Sequence, residues 1–396
     1  MKTFPSQFQR NVVPAFASHN KYNYALAKRL VKLFILLTLV QTFLVSCNND
    51  KKNKIEIGSI QQLTGQMSKY GKTLQAALLA KTDIINEERK QNNLPLISIT
   101  FEDDKLDPKT GVNALRQLIQ TKKIQICFGA QSSSVTLAMA SVANQEKVVL
   151  ISSASGSPEV SRSGEYVFRT CPSDVYEASI CADYYNSNFS NTSLAIIHIN
   201  NDYGAGLKEA FLKNINNPEK INVFPFQQGQ SDFKTILSRI KQQQTDVVYL
   251  IGYEEMIAVF KQATELDLTC QWLGNNQMND PDMVKKFEKS SNGTVFPGHQ
   301  YDLDEIKSTH ADFYAKYLKY SGDVDLDVFA AYGVDALIAV NQALINGAKN
   351  GEEIKNELYK MKAIQGVTGV FSFDENGDPV KTVNLYKIEN GEIVNF

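Results

Sequence analysis

Groups of hydroxyl, acidic and amide side chains follow directly after short apolar runs at several places in the chain. These groups are Asp103-Asp104, Ser132-Ser133-Ser134, Ser152 to Ser157, Asp202-Tyr203-Gly204, Tyr253-Glu254-Glu255 and Asn275-Asn276-Gln277. If the apolar runs are parallel strands, the groups lie at their carboxyl ends, which is the edge where open α/β sheets bind ligands. Such side chains offer hydrogen-bond donors and acceptors to a small polar molecule. We therefore predict that they share one ligand cleft.

The serine triplet precedes a predicted helix that begins near Val135. The first turn of a helix presents free N–H groups and the positive end of the helix dipole, so it suits a carboxylate. Ser132 and Ser133 are therefore candidate ligand-binding residues. The alternative for any one of these groups is helix capping, because Ser and Asp are preferred N-cap residues. The presence of several such groups in register favours the shared cleft.

The sequence has none of the patterns that indicate an enzyme, a metal site or a nucleic-acid partner. Its four histidines occur without HExxH or His/Cys/Asp spacing, and its five cysteines form no CxxC pair. The segment Gly65 to Thr73 ends like a phosphate-binding loop, but it has five residues between its glycines where that motif has four. The formal net charge is -2, without a basic stripe. We expect a protein that is not an enzyme and has no cofactor.

The elements that position the polar groups alternate between β-rich runs and helical periodicity. Tyr70 to Glu88 has apolar residues at near-helical spacing, and Pro108 stands at a first helical position with Asp107 as its cap. The candidate strands of the first half are Ile55 to Ile60, Ile97 to Phe101, Ile124 to Phe128 and Val148 to Ile151. The pattern restarts with candidate strands at Ser193 to His198, Ile221 to Phe224 and Val247 to Ile251. This alternation predicts parallel sheets joined by helices, and the restart predicts two α/β lobes.

The first residues are predicted to be a targeting sequence and not part of the fold. A basic region is followed by an apolar run of 13 residues, Leu33 to Val45, where a membrane span needs about 20. The run ends in Leu44-Val45-Ser46-Cys47, which resembles a bacterial lipobox, and a polar stretch follows it. We expect residues 1–46 to be a lipoprotein signal peptide, Cys47 to carry the lipid and 47–54 to form a tether. The alternative is a short membrane anchor followed by an incidental cysteine.

Several short segments, in this order and spacing, resemble the periplasmic leucine/isoleucine/valine-binding protein family, class I of the periplasmic binding fold. They include Gly65 to Gly71, Asp103 to Pro108, Phe128 to Ser134, Asn201 to Gly204 and Phe373 to Asp378. The resemblance implies an α/β fold of two Rossmann-like lobes with parallel central sheets, joined by a three-strand hinge. The first lobe is expected at 55–171 plus 300–370, and the second at 172–299 plus 371–396. Hinges are expected near 171–173, 296–301 and 369–373.

The resemblance also implies a set of ligand-binding residues. A ligand α-carboxylate is held by the hydroxyl and backbone N–H of Ser132 and by the backbone at Ala154 and Gly156. An acid near Asp174 meets the ligand amino group. The other residues of the implied cleft are Tyr70, Ser133, Tyr203, Tyr253 and Asn276.

This chain departs from the family at two places. The branched-chain binders have a Glu for the ligand ammonium where this chain has Asn276, and Asp174 or Glu254 could substitute for it. Those binders also have a disulfide between the positions of Leu106 and Gln131, and here both cysteines are missing together. Because Asn276 carries no charge, binding of an amino acid depends on an acid at another position.

The function that the resemblance implies is an extracytoplasmic solute-binding lipoprotein. Such a monomer captures a small polar ligand, an amino acid or a related carboxylate, and delivers it to the permease and ATPase of an ABC importer. Its lipid anchor would attach it to the cell envelope. The alternative is the same clamp used without transport, as a ligand sensor or a regulator of cell-wall synthases.

Overall fold

The computed structural model describes residues 54–65, 67–216, 221–299, 301–381 and 383–396. The expected signal peptide, Cys47 and residues 48–53 lie outside the described residues. The strands are β1 (Lys54–Gln61), β2 (Leu96–Asp103), β3 (Ile126–Gly129), β4 (Val149–Ser152), β5 (Val167–Arg169), β6 (Leu194–Ile199), β7 (Ile221–Phe226), β8 (Val247–Ile251), β9 (Gln271–Leu273), β10 (Val295–His299), β11 (Ile364–Gly366), β12 (Gly369–Phe371), β13 (Val383–Glu389) and β14 (Glu392–Asn395).

Helices connect most of these strands. They are α1 (Ser68–Gln91), α2 (Pro108–Lys122), α3 (Ser133–Glu146), α4 (Asp174–Asn188), α5 (Asp202–Asn214), α6 (Lys234–Gln242), α7 (Glu255–Glu265), α8 (Pro281–Val284), α9 (Leu303–Thr309), α10 (Ala311–Ser321), α11 (Val328–Ile345) and α12 (Gly351–Lys360). The start of α2 is as predicted, because the Asp107 carboxylate accepts a hydrogen bond from the Thr110 N–H at 2.7 Å and Pro108 stands in the first turn.

The first sheet has the strand order β2-β1-β3-β4-β5. The pairs β1–β3, β3–β4 and β4–β5 are parallel, with Gly58 opposite Cys127 and Cys127 opposite Leu150. Helices α1–α3 and α9–α12 contribute to the apolar cores on this sheet. We call this part the first lobe. Its helix α11 is long and apolar enough to cross a membrane, but most of it is buried in this core.

The second sheet has the strand order β14-β13-β10-β9-β8-β6-β7. Strands β6 to β10 form parallel pairs, while β13 pairs antiparallel with both β10 and β14. We call this sheet, with α4–α8 and their apolar core, the second lobe. The predicted two-lobed α/β fold is confirmed, and the second sheet differs from the expected parallel sheet only in its two C-terminal strands.

The chain passes between the two sheets three times. The first passage joins β5 to α4 and the second joins β10 to α9. Before the third, Phe373 packs in the core of the first lobe, with its ring 5.2 Å from that of Phe168. The following turn is fixed there too, because the Arg169 guanidinium donates to the Asp378 carboxylate at 2.7 and 2.8 Å. The third passage therefore lies between Asp378 and Val383, later than the boundary expected at 370 and 371.

Candidate functional site

A cleft lies between the two lobes, at the carboxyl ends of β1, β3 and β4 on one side and of β6 and β8 on the other. It is lined by Gln62, Met67, Tyr70, Leu106, Gln131, Ser132, Ser133, Ala154, Tyr203, Tyr253, Gln277 and Phe329. The sequence-predicted residues that the structure brings together here are Tyr70, Ser132, Ser133, Ala154, Tyr203 and Tyr253. The space between these residues is about 30 Å³, which is room for one or two water molecules. It shares Tyr70, Gln277 and Phe329 with a second cavity of about 360 Å³. A ligand larger than the smaller space can occupy it only if the lobes or the lining side chains move apart.

Ser132 stands at the start of α3 with its backbone extended, at φ −82° and ψ 130°. Its side chain makes no hydrogen bond to the first turn of the helix, so the capping alternative is not supported at this residue. Ser133 differs, because its hydroxyl accepts a hydrogen bond from the Ser157 N–H at 3.2 Å. Both serines line the cleft, and the Ser133 hydroxyl also holds the loop that follows β4.

The loop after β4 is fixed by its own serines. The Ser152 hydroxyl donates to the Ala130 carbonyl oxygen at 2.5 Å and accepts from the Ser155 N–H at 2.9 Å. The Ser155 and Thr136 hydroxyls are 2.8 Å apart. These bonds fix the loop that places Ala154 in the wall of the cleft, together with Ser132 and Ser133 at the start of α3.

Two pairs of aromatic rings form the other walls. The rings of Tyr203 and Tyr253 stack, with centroids 5.4 Å apart and planes 12° apart. The Tyr70 ring meets the Phe329 ring edge to face at a centroid distance of 6.0 Å. The Tyr203 hydroxyl is held by the Asn275 amide at 2.7 Å. Both tyrosines of the stack are almost fully buried, so the second lobe presents a rigid aromatic surface to a ligand.

Asp174 and Glu177 are fully buried at the first turn of α4, beside the cleft. Both carboxylate oxygens of Asp174, and Oε2 of Glu177, have no hydrogen-bond partner within the described residues. Burial and the neighbouring Glu177 raise the pKa of Asp174 well above its ordinary value, and burial raises the pKa of Glu177 to about 8. Two buried acids with unsatisfied oxygens favour a positively charged group between them.

Gly156 makes room for Asp174. The Asp174 N–H donates to the Gly156 carbonyl oxygen at 2.8 Å, and a Cβ atom on Gly156 would overlap Asp174 Oδ1. Gly156 does not line the cleft directly. The structure instead assigns it the role of accommodating Asp174, which touches Gly156 across the first passage between the lobes.

Asn276 does not line the smaller space, but it lines the cavity of about 360 Å³ and belongs to a buried polar network. Its side-chain amide bonds to the Glu177 carboxylate and lies 2.9 Å from His299 Nε2. His299 Nδ1 lies 3.1 Å from the Tyr332 hydroxyl. Burial lowers the pKa of His299 to about 3, so the imidazole is neutral. Glu177 thus contacts Asn276, the position at which the resemblance implies a glutamate.

Sequence reasoning did not identify Glu177, although the sequence carried one signal for it. Asp174 and Glu177 are three residues apart, so they occupy one face of a helix. Glu254, which sequence reasoning offered as a substitute acid, is exposed at the start of α7. Gln62, Gln131, Gln277 and Phe329 also line the cleft and were not predicted as site residues.

The described residues hold no group of three or more His, Cys, Asp or Glu side chains that could bind a metal ion. Cys127, Cys171, Cys181 and Cys270 are free. Leu106 and Gln131, the two positions at which the resemblance implies a disulfide, both border the cleft.

A family model described as "Periplasmic binding protein" matches residues 54–392. The Leu/Ile/Val-binding protein BraC3 of Rhizobium johnstonii is 26% identical over 350 residues, covering 86% of this chain and 93% of that protein. Among solved structures, the branched-chain amino acid substrate-binding protein LivJ of Streptococcus pneumoniae, in complex with isoleucine, has a TM-score of 0.74 at 23% identity. That match covers 86% of this chain and 97% of the other.

A solute-binding protein of Rhodopseudomonas palustris, in complex with 3,4-dihydroxybenzoic acid, has a TM-score of 0.72 at 22% identity. That match covers 87% of this chain and 96% of the other. The resemblance seen in the sequence is thereby confirmed over nearly all the described residues. This chain belongs to the periplasmic binding protein family.

Proposed function

We propose that this protein is an extracytoplasmic solute-binding lipoprotein that captures an amino acid, or a closely related carboxylate, between its lobes for an ABC importer. The observation that carries the proposal is the pair of unsatisfied, buried acids, Asp174 and Glu177, beside a cleft that also contains a helix start. One end of the cleft suits an ammonium group and the other suits a carboxylate. An α-amino acid carries both groups.

The carboxylate position lies at the start of α3. The Ser132 hydroxyl, which caps nothing, and the N–H groups of the first helical turn face it together with Ala154. A hydrogen bond to a charged group contributes about 1.5–3 kcal/mol, so this position would supply much of the affinity.

The ammonium position lies on the opposite side, towards α4. A cation there would return the pKa of Asp174 and Glu177 towards ordinary values, because an opposite charge favours the ionised carboxyl. In this account Glu177, supported by Asn276, takes the role that a glutamate at position 276 has in the branched-chain binders.

The ligands of the related structures include an amino acid, which is the proposed class, and an aromatic acid, which is a second class. The Streptococcus pneumoniae structure contains isoleucine, whereas the Rhodopseudomonas palustris structure contains 3,4-dihydroxybenzoic acid. Both ligands are small carboxylates, but an aromatic acid lacks an ammonium group. The two unsatisfied acids beside the cleft favour the amino acid over the aromatic acid.

We infer that binding is coupled to motion of the lobes about the three passages, with 55–171 and 301–378 in one body and 172–299 and 383–396 in the other. The space of about 30 Å³ beside Ser132 and Ala154 supports this, because an amino acid exceeds it. The anchor at Cys47 would hold the protein at the membrane near the permease and ATPase.

The test is to identify the bound molecule directly. The protein is purified under non-denaturing conditions, then denatured, and the released small molecules are measured by mass spectrometry. A stoichiometric amino acid supports the proposal. A stoichiometric sugar, or an aromatic acid without an amino group, would contradict it.

A further inference from the structure

Three charged residues join the two lobes at the edge of the cleft. Lys69 lies in the first turn of α1 in the first lobe, and Asp280 and Asp282 lie at the start of α8 in the second lobe. Lys69 Nζ is 3.1 Å from Asp280 Oδ2 and 3.0 Å from Asp282 Oδ2. These ion pairs bridge two bodies that must separate for a ligand to enter.

The acceptor side of this bridge is fixed in place. Asp280 is the N-cap of α8, and its Oδ1 accepts from the Asp282 N–H at 2.9 Å. Its Oδ2 also accepts a hydrogen bond from the Tyr70 hydroxyl at 2.6 Å. Neighbouring residues of α1 therefore reach the same carboxylate across the gap. One of them, Tyr70, is at the same time a wall of the cleft.

The bridge is partly shielded from water. The Lys69 side chain is 34% exposed and the Asp280 side chain only 13%, whereas Asp282 is 59% exposed. Shielding from water weakens screening by salt. These ion pairs therefore stabilise the closed state more than an isolated surface ion pair would. Opening the lobes would break both ion pairs and the Tyr70 bond together.

We propose that Lys69, Asp280 and Asp282 form an interlobe clasp that holds the closed state and so sets how long a ligand stays bound. The inference rests on the proposed function, since a clasp matters only where the lobes open and close. Lys69 is a positioning residue in this account. It acts on affinity through the balance between open and closed states.

The expected effect of removing the Lys69 charge follows from the energies of partly exposed ion pairs. Loss of the Lys69 charge should lower the closed-to-open ratio about twofold to tenfold. Ligand dissociation should accelerate by a similar factor, because the closed state must open before release. Lys69→Arg keeps the charge and should retain most of the closure.

Closure can be measured without any ligand, by pulsed EPR distances in the full chain purified in detergent. Spin labels are attached at Lys109→Cys in the first lobe and Lys213→Cys in the second, both exposed, in a Cys270→Ser background. The Cys270→Ser protein without added cysteines is the control that measures unspecific labelling. The variants are Lys69→Met, Lys69→Arg and Asp282→Asn. The matched control is Lys285→Met, which removes a lysine 3.6 Å from Asp282 within the same lobe.

The clasp predicts a shift to longer distances for Lys69→Met and Asp282→Asn but not for Lys285→Met. It also predicts a smaller shift in the same direction for the unsubstituted protein at high salt, because the bridge is only partly exposed. Should Lys69→Met fail to fold, Asp282→Asn decides, since its side chain is largely exposed. Unchanged distances in folded Lys69→Met or Asp282→Asn protein would overturn the clasp, even if the protein binds amino acids. A shift without any amino-acid binding would keep the clasp and reject the proposed function.

Discussion

The backbone N–H of Asp174 donates a 2.8 Å hydrogen bond to the carbonyl oxygen of Gly156. This bond joins the first turn of α4, where the chain enters the second lobe, to the loop that follows β4 in the first lobe. It brings the buried Asp174 carboxylate beside the loop that forms the carboxylate end of the cleft. The two halves of the proposed site are thus in direct contact through these two residues.

Gly156→Ala should disrupt this contact, because the new Cβ atom would overlap Asp174 Oδ1. We expect ligand affinity to fall at least tenfold and the free energy of unfolding to fall by about 1–3 kcal/mol, as for other overpacking changes. Calorimetric titration and chemical denaturation measure the two effects. In the double variant Gly156→Ala/Asp174→Ala the overlap is relieved, so stability should recover while binding stays weak. Unchanged binding in the single variant would show that Asp174 is not part of the site.

Ser132→Ala should weaken binding without lowering stability. Its hydroxyl makes no capping bond, so the helix loses nothing when it is removed. Loss of a hydrogen bond to a charged ligand group costs about 1.5–3 kcal/mol, which corresponds to roughly a tenfold to hundredfold weaker affinity. Thermal melts and titrations of the same samples separate the two effects. A lower melting temperature with unchanged affinity would mean that the serine caps α3 in solution.

Glu177 should make stability depend on pH. Its pKa in the folded protein is raised from 4.5 to about 8, so the folded state holds a proton that the unfolded state releases. The contribution is therefore fully present below pH 4.5, and it is lost as the pH rises towards 8. Glu177→Gln should remove this slope from the melting temperature of the ligand-free protein. A slope that is the same in both proteins would assign the effect to other buried acids, such as Asp104.

The same ionisation should act in the opposite direction on ligand binding. An ammonium group binds the ionised acids, so affinity for an amino acid should rise between pH 5 and pH 8. The rise should be smaller in Glu177→Gln protein. Titrations at several pH values measure it, and an affinity for the amino acid that falls over this range would count against the ammonium position.

Cys47→Ala should prevent lipidation. The lipobox-like segment motivates this prediction, and it lies outside the described residues. The variant should lack the mass of the lipid and should appear in the soluble fraction or as an uncleaved precursor. Mass spectrometry and fractionation test this, with Cys270→Ala as the matched control. Equal mass and equal membrane retention in both variants would refute the anchor.

Local patterns in the sequence predicted much of the fold. Asp107 and Pro108 mark the start of α2 by the rules of helix capping, while the run at 124–128 overlaps the core strand β3 and the run at 247–251 coincides with β8. Five of the six polar groups after the strands contribute a residue to the cleft, because parallel strands place their carboxyl ends along one edge, whereas Asp103-Asp104 contributes none. These features depend on neighbours in the chain, so the sequence alone specifies them.

Features that depend on contacts across the fold were not predicted. Glu177 reaches Asn276 only because α4 lies against the second sheet, and no local pattern encodes a pairing across 99 residues. The third passage was expected too early, since its position depends on Phe373 packing against Phe168 and on Asp378 binding Arg169. Ser132 illustrates the converse, because its sequence context suits capping equally well, and only the geometry shows that it lines the cleft without making a capping bond.

The central claim is that the cleft binds an amino acid through a carboxylate position and a buried ammonium position. The most direct measurement is isothermal titration calorimetry of ligand-free protein with leucine, isoleucine, valine, threonine and alanine, and with benzoate as an acid that lacks the ammonium group. Asp174→Asn, which keeps the shape but removes a charge, serves as the matched variant. We predict saturable one-to-one binding of at least one amino acid, weakened at least tenfold in Asp174→Asn, and no binding of benzoate. Binding of benzoate that equals or exceeds that of every amino acid, and that is unchanged in Asp174→Asn, would contradict the account.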